Sequence, residues 1–251
     1  MDANELKGEV LHIVSPEKAV NYKWEDNINR IPSGLQIISI DDYNSLPDII
    51  KKSRFGVRNI SEDAVLILEP YTRQYISATD AEQVFFDRKF DALSKIASLL
   101  GASKVSRKVE SLQEEKRVLT AEGYISYRVV EISTNMKKEN IERYRNRYEK
   151  IREYACPSLT NEGYKEALRI CEETGLIYDQ DFKSLLDQRN PNHPNPMKKE
   201  TYHIELSKEL NESLEVAFHL NILKGVFTLN AGIQESISSS KRLVIETVIE
   251  F

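Results

Sequence analysis

Arginine and tyrosine side chains are concentrated in one short segment of the sequence. Between positions 137 and 152 there are seven Lys or Arg residues and three Glu, on a chain whose formal net charge is −5. Guanidinium groups bind phosphates, and tyrosine rings stack on nucleic-acid bases or anchor protein interfaces. The segment is therefore a candidate site for a partner or a phosphate. Its members are Arg143, Tyr144, Arg145, Arg147, Tyr148 and Arg152.

The spacing within this segment has a second interpretation. Apolar and aromatic side chains recur at helical intervals over residues 140–155. They are Ile141, Tyr144, Tyr148 and Ile151. This stripe predicts a helix with one buried side, whose arginines lie along the flanks with their charged ends in water. We favour packing as the role of the two tyrosines, and nucleic-acid binding through helix 140–155 remains the alternative.

Three carboxylates follow two of the predicted strands. Asp41 and Asp42 close the apolar run at 34–40, and Glu69 closes the run at 64–68. If these strands were parallel neighbours, the acids would converge at the carboxyl ends and hold Mg²⁺, as in a metal-dependent nucleic-acid enzyme. The simpler interpretation is that these residues end strands and begin turns. We predict no metal and no other cofactor.

The histidines, cysteines and glycines carry few catalytic signals. Cys156, Cys171, His193 and His203 are spaced too irregularly for a zinc site. The sequence contains neither a serine nucleophile elbow nor a glycine-rich phosphate loop. We therefore predict a protein without intrinsic catalysis, in which Cys171 is a structural residue.

The overall composition is typical of a globular protein. Of the 251 residues, 40% are hydrophobic and 30% are charged. The first residues lack the basic and apolar regions of a signal peptide, and no apolar run reaches the ~18–20 residues that span a bilayer. Two cysteines are too few for a disulfide framework. We expect a soluble, cytoplasmic protein.

One long amphipathic helix is predicted at residues 79–101. Thr79 and Glu82 have the spacing of a capping box, and Gly101 occupies the position of a C-cap glycine. Three phenylalanines and several Leu and Ile side chains fall on one half of this helix. Lys89 falls on the same half. We expect its amine to reach water, or else to meet a carboxylate of the sheet beneath it.

The region before this helix is predicted to mix short strands with one helix. Strands are expected at 8–14, 34–40 and 64–68, and a helix is expected at 45–54. Residues 34–69 are consistent with a small strand–helix–strand unit.

Two β regions are predicted after the long helix. The first, residues 104–132, is interpreted as a hairpin whose tip is the charged stretch 113–116. The second, residues 202–251, contains the clearest alternation of apolar and polar residues in the chain, at 214–222. Further strands are expected at 226–237 and 243–251.

A helical insertion at 138–189 separates the two β regions. It contains the helix at 140–155, a helix opened by Thr160 and closed by Gly175, and a third opened by Asp179 or Asp181. Three prolines within residues 190–196 predict an exposed loop after it.

These elements indicate an α+β fold. We predict an antiparallel β-sheet built from the two hairpin regions and covered by the long helix, with the helical insertion between the hairpins. The chain is interpreted as a single domain over residues 1–251. Its subregions are 1–78, 79–136, 137–196 and 197–251.

The predicted function is binding rather than catalysis. The absence of catalytic residue sets and the Arg/Tyr segment together favour a cytoplasmic interaction protein that acts through another protein. The first alternative is a membrane-perturbing, pore-forming effector, because its amphipathic β-hairpins would be long enough to enter a bilayer. The second alternative is the metal-dependent nucleic-acid enzyme.

Overall fold

A computed structural model describes residues 6–24, 31–57, 59–119, 125–129, 142, 144–155, 158–204, 208–222, 229 and 231–251. The fold is mixed α and β. The helices are α1 Pro16–Trp24, α2 Ile40–Ser45, α3 Asp48–Arg54, α4 Ala81–Leu99, α5 Asn161–Thr174, α6 Gln180–Gln188, α7 Lys208–Ile222 and α8 Ala231–Ser238, with a 3-10 turn at Leu176–Tyr178. The strands are β1 Val10–Val14, β2 Leu35–Ser39, β3 Val65–Leu68, β4 Tyr75–Ser77, β5 Lys104–Leu119, β6 Ile125–Val129, β7 Lys150–Glu153, β8 Lys199–Ile204 and β9 Ser239–Glu250.

The described part of the chain divides into two compact units. The first comprises Met1–Phe85, Glu114–Val130 and Ser207–Ser240. The second comprises Phe86–Gln113, Glu131–Leu206 and Lys241–Phe251.

A four-stranded sheet with the order β2-β1-β3-β4 forms the centre of the first unit. Strands β1 and β2 are parallel, and α1 connects them. Strand β3 is antiparallel to both β1 and β4. In the structure the Ser15 hydroxyl accepts from the Lys18 amide at 3.4 Å, and Pro16 begins α1, the position that proline favours in a helix.

A cluster of buried apolar side chains lies on one side of this sheet. Leu11, Ile13 and Leu66 are buried against Tyr43 and Phe55, whose rings meet edge to face at 5.1 Å. Helix α7 contacts β1 and β3.

The other described sheet has the strand order β6-β5-β9-β8, and β7 pairs with the first residues of β5. In the register of β5 and β6, Glu115 lies opposite Val129 and Leu119 lies opposite Ile125. The connection is therefore between Leu119 and Ile125, and the expected tip at 113–116 is wrong. A run of charged residues can therefore be part of a strand rather than its end.

The expected helix at 140–155 is shorter than its pattern indicated. Residues 144–148 are helical, but residues 150–153 form β7, which pairs antiparallel with β5 from Lys104 to Arg107. Ile151, expected on the buried stripe, is 62% exposed. At residues 150–153, pairing with a strand distant in sequence outweighs the local helical pattern.

The strand expected at 214–222 is wrong, and so is the strand expected at 226–237 over residues 231–237; residues 226–228 and 230 lie outside the described residues. Residues 208–222 form α7, and Ala231–Ser238 forms α8. The buried side chains of α7 include Leu210, Leu214, Ala217 and Phe218, which is a helical spacing. Leu214 and Phe218 fit a period of two as well as one of four, so the alternation was ambiguous. Strand β9 begins at Ser239, directly after α8.

Several elements have the expected positions. Helix α5 has Thr160 as its N-cap and Gly175 as its C-cap, and α6 has Asp179 as its N-cap. Residues 190–196 lie outside helices and strands. Helix α4 occupies the stretch assigned to the long helix, and Phe85, Phe86, Phe90, Leu93 and Ile96 are buried on it.

Candidate partner-binding site

The two tyrosines of the Arg/Tyr segment are buried. Tyr144 and Tyr148 stack with their ring planes 4° apart and their centroids 5.8 Å apart. Tyr148 also meets the ring of Phe86 edge to face at 5.8 Å. These contacts support the packing interpretation, because neither ring is available for stacking on a base or a partner.

The arginines of the segment have different environments. Arg145 and Arg147 are exposed, and the Arg145 side chain lies 4.0 Å from Glu149. Arg152 pairs with Asp91 of α4 at 2.6 Å, and its guanidinium lies 5.1 Å from the centre of the Phe90 ring. Arg143 lies outside the described residues. Arg152 therefore holds β7 against α4, and Arg145 and Arg147 remain as solvent-facing cations.

Arg107, which was not identified from the sequence, makes several of the contacts around Tyr148. It is 1% exposed, and it donates to the carbonyl oxygens of Phe86 and Tyr148 and to the carboxylate of Asp87. Its guanidinium lies 4.7 Å from the centre of the Phe90 ring. Lys150 pairs with the same carboxylate at 2.7 Å.

The charge of Asp87 is favoured by these partners. Partial burial raises the pKa of the Asp87 carboxyl, but hydrogen bonds and charges from Lys150 and Arg107 outweigh it and leave the pKa below its usual value. The cluster of Arg107, Asp87 and Lys150 is thus a structural ion network, which joins β5 and β7 to α4.

A different aromatic side chain is displayed to solvent in the second unit. Tyr178 is 88% exposed, and it ends the 3-10 turn between α5 and α6. We call residues 175–179 the Tyr178 turn. Gly175 begins it in the left-handed conformation, with φ of 78°, which only glycine adopts at little cost. The amide of Tyr178 donates to the Gly175 carbonyl at 3.2 Å.

Both flanks of the Tyr178 turn are fixed by neighbouring groups. Leu176 is buried, and the Asp179 carboxylate accepts from the Asp181 amide at 2.9 Å as the N-cap of α6. Lys89 of α4 pairs with Asp179 at 2.8 Å and with Asp181 at 3.0 Å. The turn therefore presents an exposed ring on a backbone that is already ordered.

Lys89 is the residue that the sequence analysis marked as misplaced on α4. It is 9% exposed, so the expectation that its amine reaches water is wrong. Its carboxylate partners come from the start of α6 rather than from a sheet. Burial lowers the pKa of the Lys89 ammonium, but the charges of Asp179 and Asp181 outweigh burial and raise the pKa above its usual value. The lysine is therefore charged at neutral pH and holds the start of α6 to α4.

Two further titratable groups lie near Asp179. Burial, with smaller contributions from Asp179 and Glu172, raises the pKa of the Cys171 thiol to about 11. This thiol is buried and free, and it is protonated at neutral pH, which removes it as a nucleophile. Burial also raises the pKa of Tyr202, with the charges of Glu200, Asp181 and Asp179 acting in the same direction.

The three candidate metal ligands do not meet at one edge of a sheet. Strand β1 is parallel to β2 and antiparallel to β3, so β2 and β3 end at opposite edges. Asp41 and Asp42 lie in the first turn of α2, and the Asp42 amide donates to the Ser39 hydroxyl at 3.0 Å. Glu69 is buried and accepts from the amides of Tyr71 and Thr72 within its own turn. Among the residues with described positions, no group of three or more His, Cys, Asp or Glu could hold a metal ion.

The sequence signal for Tyr178 is weak. The residue lies between the C-cap glycine of α5 and the N-cap aspartate of α6, so it belongs to neither helical pattern.

Comparison with protein-family models, curated proteins and solved structures gave no match. Within the described ranges, no helix combines the length and the apolar character needed to cross a membrane.

Proposed function

We propose that this chain is a non-catalytic binding protein that acts through a protein partner, and that the Tyr178 turn is the anchor of the contact surface. The observation that carries the proposal is the 88% exposure of an aromatic ring on a turn whose flanks are both fixed. Tyrosine is enriched among the residues that contribute most to protein–protein binding.

Burial of this ring is a source of binding energy. Aromatic side chains bury about 150–250 Å² each and carry a polar group that can hydrogen-bond at the edge of an interface. The Tyr178 ring is almost fully hydrated in the free chain, so nearly all of this area is available to a partner.

The ordered backbone of the Tyr178 turn in the free chain also favours binding. Association costs free energy when loops and side chains must become ordered, and a preorganised segment avoids part of that cost. The backbone around Tyr178 is held by the Gly175 cap, the buried Leu176 side chain and the ion pairs of Lys89. Only the rotamer of Tyr178 itself remains to be ordered by a partner.

Photo-crosslinking in the native cell tests the proposal. Benzoylphenylalanine in place of Tyr178 is expected to give a discrete crosslinked product with one partner protein, identified by mass spectrometry. The matched control carries the same group in place of Lys183, which is exposed on α6, the helix that follows the turn. A lack of product at position 178, or the same product in equal yield at position 183, would contradict the proposal.

The Tyr178→Ala variant separates binding from folding. We expect Tyr178→Ala to reduce, by about tenfold or more, the amount of the partner identified by crosslinking that is recovered with this chain. The reason is that anchor residues contribute about 2 kcal/mol or more of binding free energy. The free energy of unfolding is expected to change by less than about 0.5 kcal/mol, because the side chain is exposed. Unchanged recovery of the partner would remove Tyr178 from the contact surface.

A further inference from the structure

A cavity of about 300 Å³ lies in the first unit, beside the core of the four-stranded sheet. One wall is the segment that leads from Phe55 to β3, and it contributes Val57, Ile60 and Ala64. Ser77 at the end of β4, Thr79, and Ile233 in the first turn of α8 also line the cavity. The cavity is independent of the Tyr178 turn, which belongs to the second unit.

The floor of the cavity is rigid. It is formed by Val65 and Leu66, each 1% exposed, at the start of β3. Strand β3 is paired on both sides, with β1 and with β4. Because its backbone groups are satisfied by both neighbours, the floor cannot move into the cavity without breaking the sheet.

The rim of the cavity supplies neutral hydrogen-bonding groups. The hydroxyls of Ser77 and Thr79 lie 2.7 Å apart, and the Thr79 amide donates to the Ser77 hydroxyl at 3.3 Å. Asn59 and Ser61 contribute a carboxamide and a third hydroxyl. These groups can donate and accept, so they suit a ligand that carries an amide or a similar polar group.

No described lining residue has an ionisable side chain. A charged ligand would therefore lose its hydration without gaining an opposite charge from these residues, and an uncompensated charge is costly to bury. Binding pockets for small molecules are mostly apolar with a few placed polar groups, and their volumes begin near 300 Å³. A volume of about 300 Å³ corresponds to about ten water molecules, which limits the ligand to a compact molecule.

We propose that this cavity is a binding site for a small uncharged molecule that combines an apolar ring with an amide-like polar group. The ring lies against Leu66, Ile60 and Ile233, and the polar group reaches the hydroxyls of Ser77 and Thr79. The hydroxyl and carboxamide groups of the described lining residues favour an uncharged polar group, and the volume favours a compact ligand.

A matched set of three probes tests the chemistry of the site. Benzamide, benzoate and benzylammonium share one ring and have nearly the same size, but they are neutral, anionic and cationic. We expect benzamide at millimolar concentration to shift the NMR signals of Ile60, Leu66 and Ile233. Its affinity should exceed that of each charged probe by about tenfold or more, because an unpaired buried charge is unfavourable. No shifts with benzamide, or equal binding of a charged probe, would overturn the proposal.

A pair of variants tests the position of the site. Ser61→Phe places a ring at the mouth of the cavity, whereas Ser53→Phe makes the same change at an exposed position on α3 that does not line it. Ser61→Phe should weaken benzamide binding about tenfold or more, and Ser53→Phe should leave it unchanged. Ala64→Leu provides a second way to fill the cavity. If both filling variants bind benzamide as the wild type does, the assigned position is wrong.

Discussion

Arg107 shows how one buried cation can hold several elements together. It is 1% exposed, and its partners are the Asp87 carboxylate and the carbonyls of Phe86 and Tyr148. Arg107→Met keeps much of the side-chain volume but leaves Asp87 and two carbonyl oxygens without this donor. We expect the free energy of unfolding, measured by denaturant titration, to fall by about 1–3 kcal/mol, because buried carbonyl oxygens lose a donor while Asp87 keeps its pair with Lys150.

The control for this change is Arg88→Met, on the exposed side of the same helix. A surface substitution of this kind should alter the free energy of unfolding by less than about 0.5 kcal/mol. Equal effects of the two substitutions would show that the Arg107 network contributes nothing specific to stability.

His12 makes the stability of the first unit depend on pH. Burial lowers the pKa of this imidazole from 6.5 to about 4, and Lys18 acts in the same direction, while Asp63 partly offsets both. The unfolded chain takes up a proton as pH falls below 6.5, but the folded chain does not until about pH 4. The contribution of His12 to stability is therefore complete above pH 6.5 and declines as pH falls toward 4.

The expected loss is about 2 kcal/mol of unfolding free energy between about pH 7 and about pH 5. Denaturant titration at the two pH values measures it. His12→Gln should remove this part of the acid sensitivity. His203→Gln serves as the control, because His203 lies exposed beside Glu110 and should leave the acid sensitivity in place. A wild-type slope that persists in His12→Gln would assign the acid sensitivity to other groups.

At the scale of elements, the contact between α4 and α5 depends on Gly163. An added Cβ at this residue would lie 2.3 Å from the carbonyl oxygen of Leu99, the last residue of α4. Glycine in a helix is normally less stable than alanine by about 0.5–1 kcal/mol. Here we expect the opposite sign: Gly163→Ala should lower the free energy of unfolding by about 1–3 kcal/mol, because a backbone atom must move.

Gly175→Ala is also expected to lower the stability of the protein, but for a different reason. An added Cβ there meets nothing within 4 Å, and the only cost is the left-handed backbone with φ of 78°. We expect a loss of about 1–2 kcal/mol from this strain. Thermal or denaturant unfolding measures both variants. An increase in stability of Gly163→Ala, the usual result in a helix, would contradict the close approach of α5 to α4.

The elements that could be predicted from the sequence are those with local end signals. Thr160, Gly175 and Asp179 mark the ends of α5 and α6 through hydrogen bonds within a few residues, and their positions agree with the structure. Strand β7 could not be predicted in this way, because its pairing with β5 spans more than forty residues and competes with a local helical pattern. Helix α7 was missed because its buried residues also fit an alternating pattern.

At the scale of the molecule, strand order was the part that local patterns could not supply. The sequence located apolar runs near β1, β2 and β3, but their order and direction decide which ends meet. With β1 between β2 and β3, and antiparallel to β3, Asp42 and Glu69 are held at opposite edges. The candidate binding site has the same limitation. Tyr178 can be identified as a candidate contact residue only from its exposure and from the ion pair between Lys89 and Asp179, which are distant in sequence.

The assignment of Lys208–Ile222 to α7 changes the second β region expected from the sequence, and the assignment of Lys104–Leu119 to β5 moves the hairpin connection of the first. Backbone NMR on the intact chain tests both assignments in one experiment. We expect strong sequential amide–amide contacts and helical Cα shifts across α7, because each amide donates to the carbonyl four residues earlier. Across residues 113–116 we expect strand shifts and contacts between Glu115 and Val129, which lie opposite each other. Extended shifts across residues 214–222 would contradict α7, and turn-like shifts at 113–116 would contradict a continuous β5.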